Sequence, residues 1–142
     1  MKKEYFIDIV LDAQFDESNI YTILESGHKK GFKYLSYMKN FKQVLNTKEA
    51  AEEIILGTQV DDLPSVFTIL NAEVPKDDVP ANVTISFHKD ASDNLEFHIG
   101  VFGGDYIKKE DMVDLSFYVP FFISLCKDFT ILKVKADFFE DY

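Results

Sequence analysis

The chain predicts an α+β fold: a layered, mainly antiparallel sheet of about six strands with helices mostly on one face. Two kinds of pattern carry that expectation. Apolar residues alternate with a period of two in several segments, two of which flank a short polar turn, and three other segments show helical spacing. Size supports it as well. A chain of 142 residues with 14 Phe and seven Tyr supplies one core and buries roughly 70% of its unfolded surface, so a single domain, 1–142, is expected.

Tyr5 to Leu11 places Tyr5, Ile7, Ile9 and Leu11 on one side and Phe6, Asp8 and Val10 on the other, as a half-buried strand does. Asp16 or Ser18 then caps a helix from about Glu17 to Lys30, in which Ile20, Ile23 and Leu24 share a face and Gly31 supplies the stop. Phe32 to Met38 is aromatic and extended in pattern, a second strand. Asn46 followed by Glu49 forms a capping box with Asn in place of Ser or Thr. Ala50, Ala51, Ile54 and Ile55 give the short helix behind it an apolar face that ends before Gly57. Ser65 to Leu70 reads as a third strand, and residues 71–82, with Pro75 and Pro80, form a long loop.

The clearest pattern is a hairpin. Val83, Ile85 and Phe87 alternate with Thr84, Ser86 and His88, and after the turn KDASDN, Leu95, Phe97, Ile99 and Val101 alternate with Glu96, His98 and Gly100. Gly103 and Gly104 end it. A helix starting near residues 108–111 runs through Met112, Leu115, Val119, Phe122 and Cys126, with Pro120 kinking or dividing it. Thr130 to Phe139 closes the chain as a strand, with Leu132, Val134, Ala136 and Phe138 inward and Ile131, Lys133, Lys135 and Asp137 outward. The order is β-α-β-α-β-β-β-α-β. Strand, helix, strand units near both ends of a central hairpin suit a ferredoxin-like or related layer.

Charge is distributed unevenly. Residues 26–48 hold six lysines and no carboxylate, whereas the remaining 119 positions hold nine lysines against all 25 Asp and Glu. The net charge of −10 disfavours nucleic acid and anionic membranes as partners and favours a basic protein. Arg and Trp are absent, which removes the side chain best suited to bidentate phosphate recognition. The basic pole is Lys29, Lys30, Lys33, Lys39 and Lys42, interleaved with aromatic residues. Its alternation fits a strand better than a base-stacking platform. The single Cys126 has no disulfide partner and sits among apolar residues, where a structural role is expected. Asp8 and Asp12 interrupt the opening apolar stretch as a leader sequence, and the longest uncharged apolar run, residues 117–125, is about half a membrane span. A cytoplasmic location follows as the expectation.

No nucleophile elbow, phosphate loop, dinucleotide turn or zinc-protease motif is present. Binding is therefore expected rather than catalysis, with no cofactor. The expected function is that of a small acidic interaction module of the inhibitor, antitoxin or immunity type, gripping a basic or charge-patterned protein. Its candidate contacts are Asp61, Asp62, Asp77, Asp78, Glu110, Asp111 and Asp114, and a homodimer is compatible with the apolar residues on the outer sheet face. The alternative is a metal-binding module or metal-assisted hydrolase. If the hairpin pairs His88 with Glu96 and Ser86 with His98, two imidazoles and a carboxylate share one face, a donor set that suits Zn²⁺.

Overall fold

Strand β1 (Lys2–Gln14) lies between β6 (Asn94–Gly103) and β7 (Ile131–Asp141) and pairs antiparallel with both. The computed structural model describes residues 2–35, 43–61, 67–70, 81–103 and 115–141. The other described elements are α1 (Glu17–Lys29), β2 (Lys33–Leu35), β3 (Val44–Leu45), α2 (Thr47–Asp61), β4 (Phe67–Leu70), β5 (Ala81–Lys89) and α3 (Leu115–Ser124). The seven strands form one sheet in the order β3-β2-β4-β5-β6-β1-β7, and every neighbouring pair is antiparallel. Because β6 and β7 both oppose β1, they run parallel to each other, and α3 carries the chain between them across β1. That is a split strand, helix, strand unit.

The alternation in β1, β5 and β6 fixes which face is buried. Ile7, Ile9, Leu11, Ile85, Phe87, Leu95, Phe97, Ile99 and Val101 point into one cluster with Ile20, Ile23 and Leu24 of α1, Ala50, Ala51 and Ile54 of α2, and Phe122 of α3. All three described helices therefore pack on the same face. Aromatic rings tie the layers together: Phe87 stacks on Phe97 at 5.0 Å, Phe97 meets Phe122 edge to face at 6.3 Å, and Phe122 stacks on Phe32 at 6.1 Å. Burial of each such ring contributes about 1.5–3 kcal/mol.

Local chemistry sets the ends of α1. Asp16 Oδ1 accepts from the Asn19 amide at 2.8 Å, and the negative charge suits the helix start. At the other end, the Phe32 amide donates to Gly27 O at 3.1 Å and the Gly31 amide to His28 O at 3.0 Å, with Gly31 at φ 98°. This is the Schellman pattern, and its left-handed residue is the glycine. The capping box at α2 is formed as well: Glu49 N donates to Asn46 Oδ1 at 2.8 Å, and Asn46 N donates to Glu49 Oε1 at 3.3 Å.

Three features differ from the sequence reading. The sheet has a seventh strand, β3, which is two residues long and too short to show alternation. Helix α2 continues past Gly57 to Asp61, since an interior glycine costs only about 1 kcal/mol of helix stability. In β7, Val134 and Ala136 lie opposite Ile9 and Ile7, and Lys133, Lys135 and Asp137 opposite Val10, Asp8 and Phe6, on the expected faces, but the expected faces of Ile131 and Leu132 are corrected. A register shift sets Ile131 opposite Leu11 and Lys133 opposite Val10, so Ile131 packs against the core while Leu132 and Val134 are 52% and 38% exposed. One extra residue at a bulge inverts the phase at the start of the strand only, and an edge position leaves the core-side Val134 uncovered. Of the expected loop 71–82, Ala81 and Asn82 instead open β5; residues 71–80, most of the second strand's expected span and the expected start of the third helix lie outside the described residues.

Candidate functional site

The sheet face opposite the helices presents a continuous set of polar side chains. Their positions follow from register. Ser86 lies opposite His98 and His88 opposite Glu96 across the hairpin, Asp8 and Val10 of β1 oppose His98 and Glu96, and Lys135 and Lys133 of β7 oppose Asp8 and Val10. The turn that aligns the hairpin is held by Asp90, whose Oδ1 accepts from Ser92 N at 2.9 Å and Asn94 N at 2.7 Å, with Asp93 at φ 62°. Asp tolerates that left-handed conformation better than most residues, and an Asx turn recruits its side chain.

Asp8 is the hub. His98 Nδ1 donates to Asp8 Oδ1; a carboxylate only accepts, so that ring nitrogen carries the hydrogen. Glu96 also shares a side-chain hydrogen bond with Asp8. Burial, the neighbouring Asp8 charge and that hydrogen bond push the Glu96 carboxyl above its ordinary range, with Asp90 adding to the rise and His98 opposing it. The protonated form of Glu96 is thereby favoured relative to a free carboxyl. His98 also stacks on Phe6 at 5.4 Å and meets His88 edge on at 5.7 Å. Burial and the His98 charge push the His88 imidazole down, partly offset by Asp8, so the neutral ring is favoured. His88 Nε2 and Ser86 Oγ share a hydrogen bond of 2.9 Å.

The hairpin register expected from sequence places His88, Glu96 and His98 together; His88 Nε2 bonds Ser86, and His98 Nδ1 and the Glu96 carboxyl bond Asp8. Among the described residues no three His, Cys, Asp or Glu side chains are grouped to hold a metal ion. A serine hydrolase arrangement is not assembled from these groups either. Ser86 is 4% exposed and bonded to one imidazole, while the orienting carboxylate Asp8 holds the other. Base and orienter belong to different rings, whereas the triad needs them on the same one.

Beside this cluster the surface opens into a groove of about 460 Å³, lined by Asp90 and Glu96 on the β6 side and by Lys133, Lys135 and Leu132 of β7 on the other, with Asp8 and Val10 of β1 between. Sequence reasoning missed this combination. Asp8 and the two lysines were legible as outward residues, but they belong to strands 120 or more positions apart in the chain.

Of the other sequence candidates, Lys29, Lys30 and Lys33 are exposed. Lys30 Nζ lies 5.4 Å from the centre of the Phe121 ring. Lys29 and Lys30 line a recess of about 530 Å³ together with Glu25, Lys127 and Asp128, so at this end of α1 cations and carboxylates mix in space although they separate along the sequence. Asp61 ends α2. Asp62, Asp77, Asp78, Glu110, Asp111, Asp114, Lys39 and Lys42 lie outside the described residues. Cys126 is buried, and burial pushes its thiol up to about 12. No described helix is long and apolar enough to cross a membrane. Comparison with protein-family models, curated proteins and solved structures found no match for this chain.

Proposed function

We propose that this chain is a small acidic, cytoplasmic interaction module of the inhibitor, antitoxin or immunity type, and that it binds a charge-patterned protein partner through the open face of its sheet. The observation that carries this reading is the groove, where Asp90 and Glu96 lie on one side, Lys133 and Lys135 on the other, and Asp8 and Val10 between them. A partner's lysine or arginine fits the carboxylate side, and its aspartate or glutamate fits the lysine side. Half-exposed Leu132 and partly buried Val10 supply apolar contact that shields these pairs from water. Net charge of −10 adds long-range attraction for a basic partner, which raises the association rate more than the lifetime. One ring nitrogen of each histidine is held within the sheet, His88 Nε2 by Ser86 and His98 Nδ1 by Asp8, which favours a rigid binding surface over a reactive one.

The test starts by capturing the partner from cytosol on the immobilised chain, identifying it by mass spectrometry and purifying it. Its association rate should then fall about tenfold between low and physiological salt. Asp90→Asn with Glu96→Gln, and separately Lys133→Glu, should each weaken binding by about tenfold or more. A rate indifferent to salt, or binding unchanged in both groove variants, overturns the proposal. Stoichiometric metal in the purified protein that disappears in His88→Ala with His98→Ala would put the metal-binding reading in its place.

A further inference from the structure

Among the described residues, strand β7 is paired along one edge and no strand pairs with the other. Its whole length pairs with β1, and it ends the strand order of the sheet. Leu132 and Val134 are 52% and 38% exposed, Lys133, Lys135 and Ala136 are exposed too, and no described strand occupies the outer edge. A row of edge backbone donors and acceptors that no described strand pairs, beside exposed aliphatic side chains, is a template for another strand. Lysines on an edge usually oppose such pairing. In β7, however, the charges are sorted along the strand: residues 131–136 carry Lys133 and Lys135 and no carboxylate, whereas 137–141 carry Asp137, Glu140 and Asp141 and no lysine.

A strand that is cationic in its first half and anionic in its second complements a copy of itself running the other way. Antiparallel pairing about Ala136 sets Lys135 of each copy opposite Asp137 of the other and Val134 opposite position 138. Within one chain Lys135 Nζ and Asp137 Oδ2 already lie 3.4 Å apart on the outer face. Two copies therefore place four charges in a square with alternating signs, each contact attractive. Opposite charges directly across a strand pair contribute about 0.2–1 kcal/mol each, and like charges oppose pairing by similar amounts.

We propose that the outer edge of β7 is a self-recognition surface on which β7 of a second copy pairs antiparallel about Ala136, joining two seven-stranded sheets into one. Symmetry makes the interface closed, so the assembly stops at two copies. This stands independently of the groove reading, because it concerns the backbone edge and needs no other partner. The dimer also brings Asp137 of the second copy beside Lys135, which lines the groove.

Oligomeric mass measured by sedimentation or light scattering tests it. The wild-type chain should approach twice its 16.4 kDa with rising concentration, and hydrogen exchange should show β7 amides gaining protection over the same range. Lys135→Glu alone sets two acids opposite each other twice, and Asp137→Lys alone sets two lysines opposite each other twice. Each variant should dimerise at least about tenfold more weakly, and an equimolar mixture of the two should form a mixed dimer, because both cross-pairs become complementary again. A wild-type chain that stays monomeric, a dimer that survives both single variants, or a mixture that fails to associate overturns the proposal. Circular dichroism of the two variants, whose substituted residues are exposed or half-exposed, separates lost pairing from lost folding.

Discussion

In α1, Gly27 occupies a position where a methyl group has no room. A Cβ built there meets Tyr34 Oη at 2.4 Å and Phe32 Cδ2 at 2.6 Å, and neither ring yields easily, being 1% and 2% exposed respectively. The Tyr34 hydroxyl also donates to Leu24 O at 2.7 Å, and burial together with the Glu25 charge holds it protonated far above the usual tyrosine range. Gly27→Ala must push this hydroxyl back by about 1 Å to reach an ordinary contact, which takes the hydrogen bond out of range. Helix propensity alone favours the alanine by about 1 kcal/mol. Against it stand about 1–3 kcal/mol for the disrupted buried hydrogen bond and about 1–3 kcal/mol for overpacking. The expected net loss is therefore about 1–5 kcal/mol. Urea unfolding followed by circular dichroism and tyrosine emission measures it, the chain having no Trp. In a Tyr34→Phe background the penalty should shrink by about 1 kcal/mol, because the nearest clashing atom is gone. A neutral or stabilising Gly27→Ala with an unchanged denaturant slope would refute the packing described at the C-terminal end of α1.

Two further outcomes follow from the site and the caps. Because the Glu96 carboxyl titrates above its ordinary range, the folded chain holds that proton more tightly than the unfolded one. The group therefore favours folding at pH below the unfolded value, and this contribution is lost as pH rises through the folded value. Glu96→Gln should accordingly gain stability relative to the wild type between about pH 4 and pH 7, by up to about 1 kcal/mol from relief of like charges. Urea midpoints at both pH values decide it, and a gain confined to acid would contradict the carboxyl sharing with Asp8. At α2, Asn46→Ala removes the acceptor for the Glu49 amide and should lower stability by about 1 kcal/mol. Asn46→Ser should keep most of the cap; equal losses in both variants would show that the side-chain oxygen is not what holds the helix start.

The fold class and the local devices were legible in the residues themselves. Period-two alternation in Tyr5 to Leu11 and across the 83–101 hairpin selects the buried face with no knowledge of neighbours, because successive side chains in a strand point to opposite sides. The cap at Asp16, the stop at Gly31 and the box at Asn46 and Glu49 are equally local, since each is closed by hydrogen bonds spanning three to five residues. The hairpin turn also sets His88 against Glu96 within one supersecondary unit.

What only the tertiary structure decided is which strands lie side by side and where the sheet ends. Nothing in the spacing of Asp8, His98 and Lys135 says that β1 sits between β6 and β7, yet that adjacency makes Asp8 the hub of the polar cluster and builds the groove. The same holds for β7: its alternation promised an inward apolar row, but a bulge and an edge position left Leu132 and Val134 in solvent. Hydrogen bonds within a turn depend on neighbours in the chain, whereas strand order is set by how a whole layer buries its apolar face. For that reason the sequence specifies the pieces, and only their assembly creates a surface with opposite charges on its two walls.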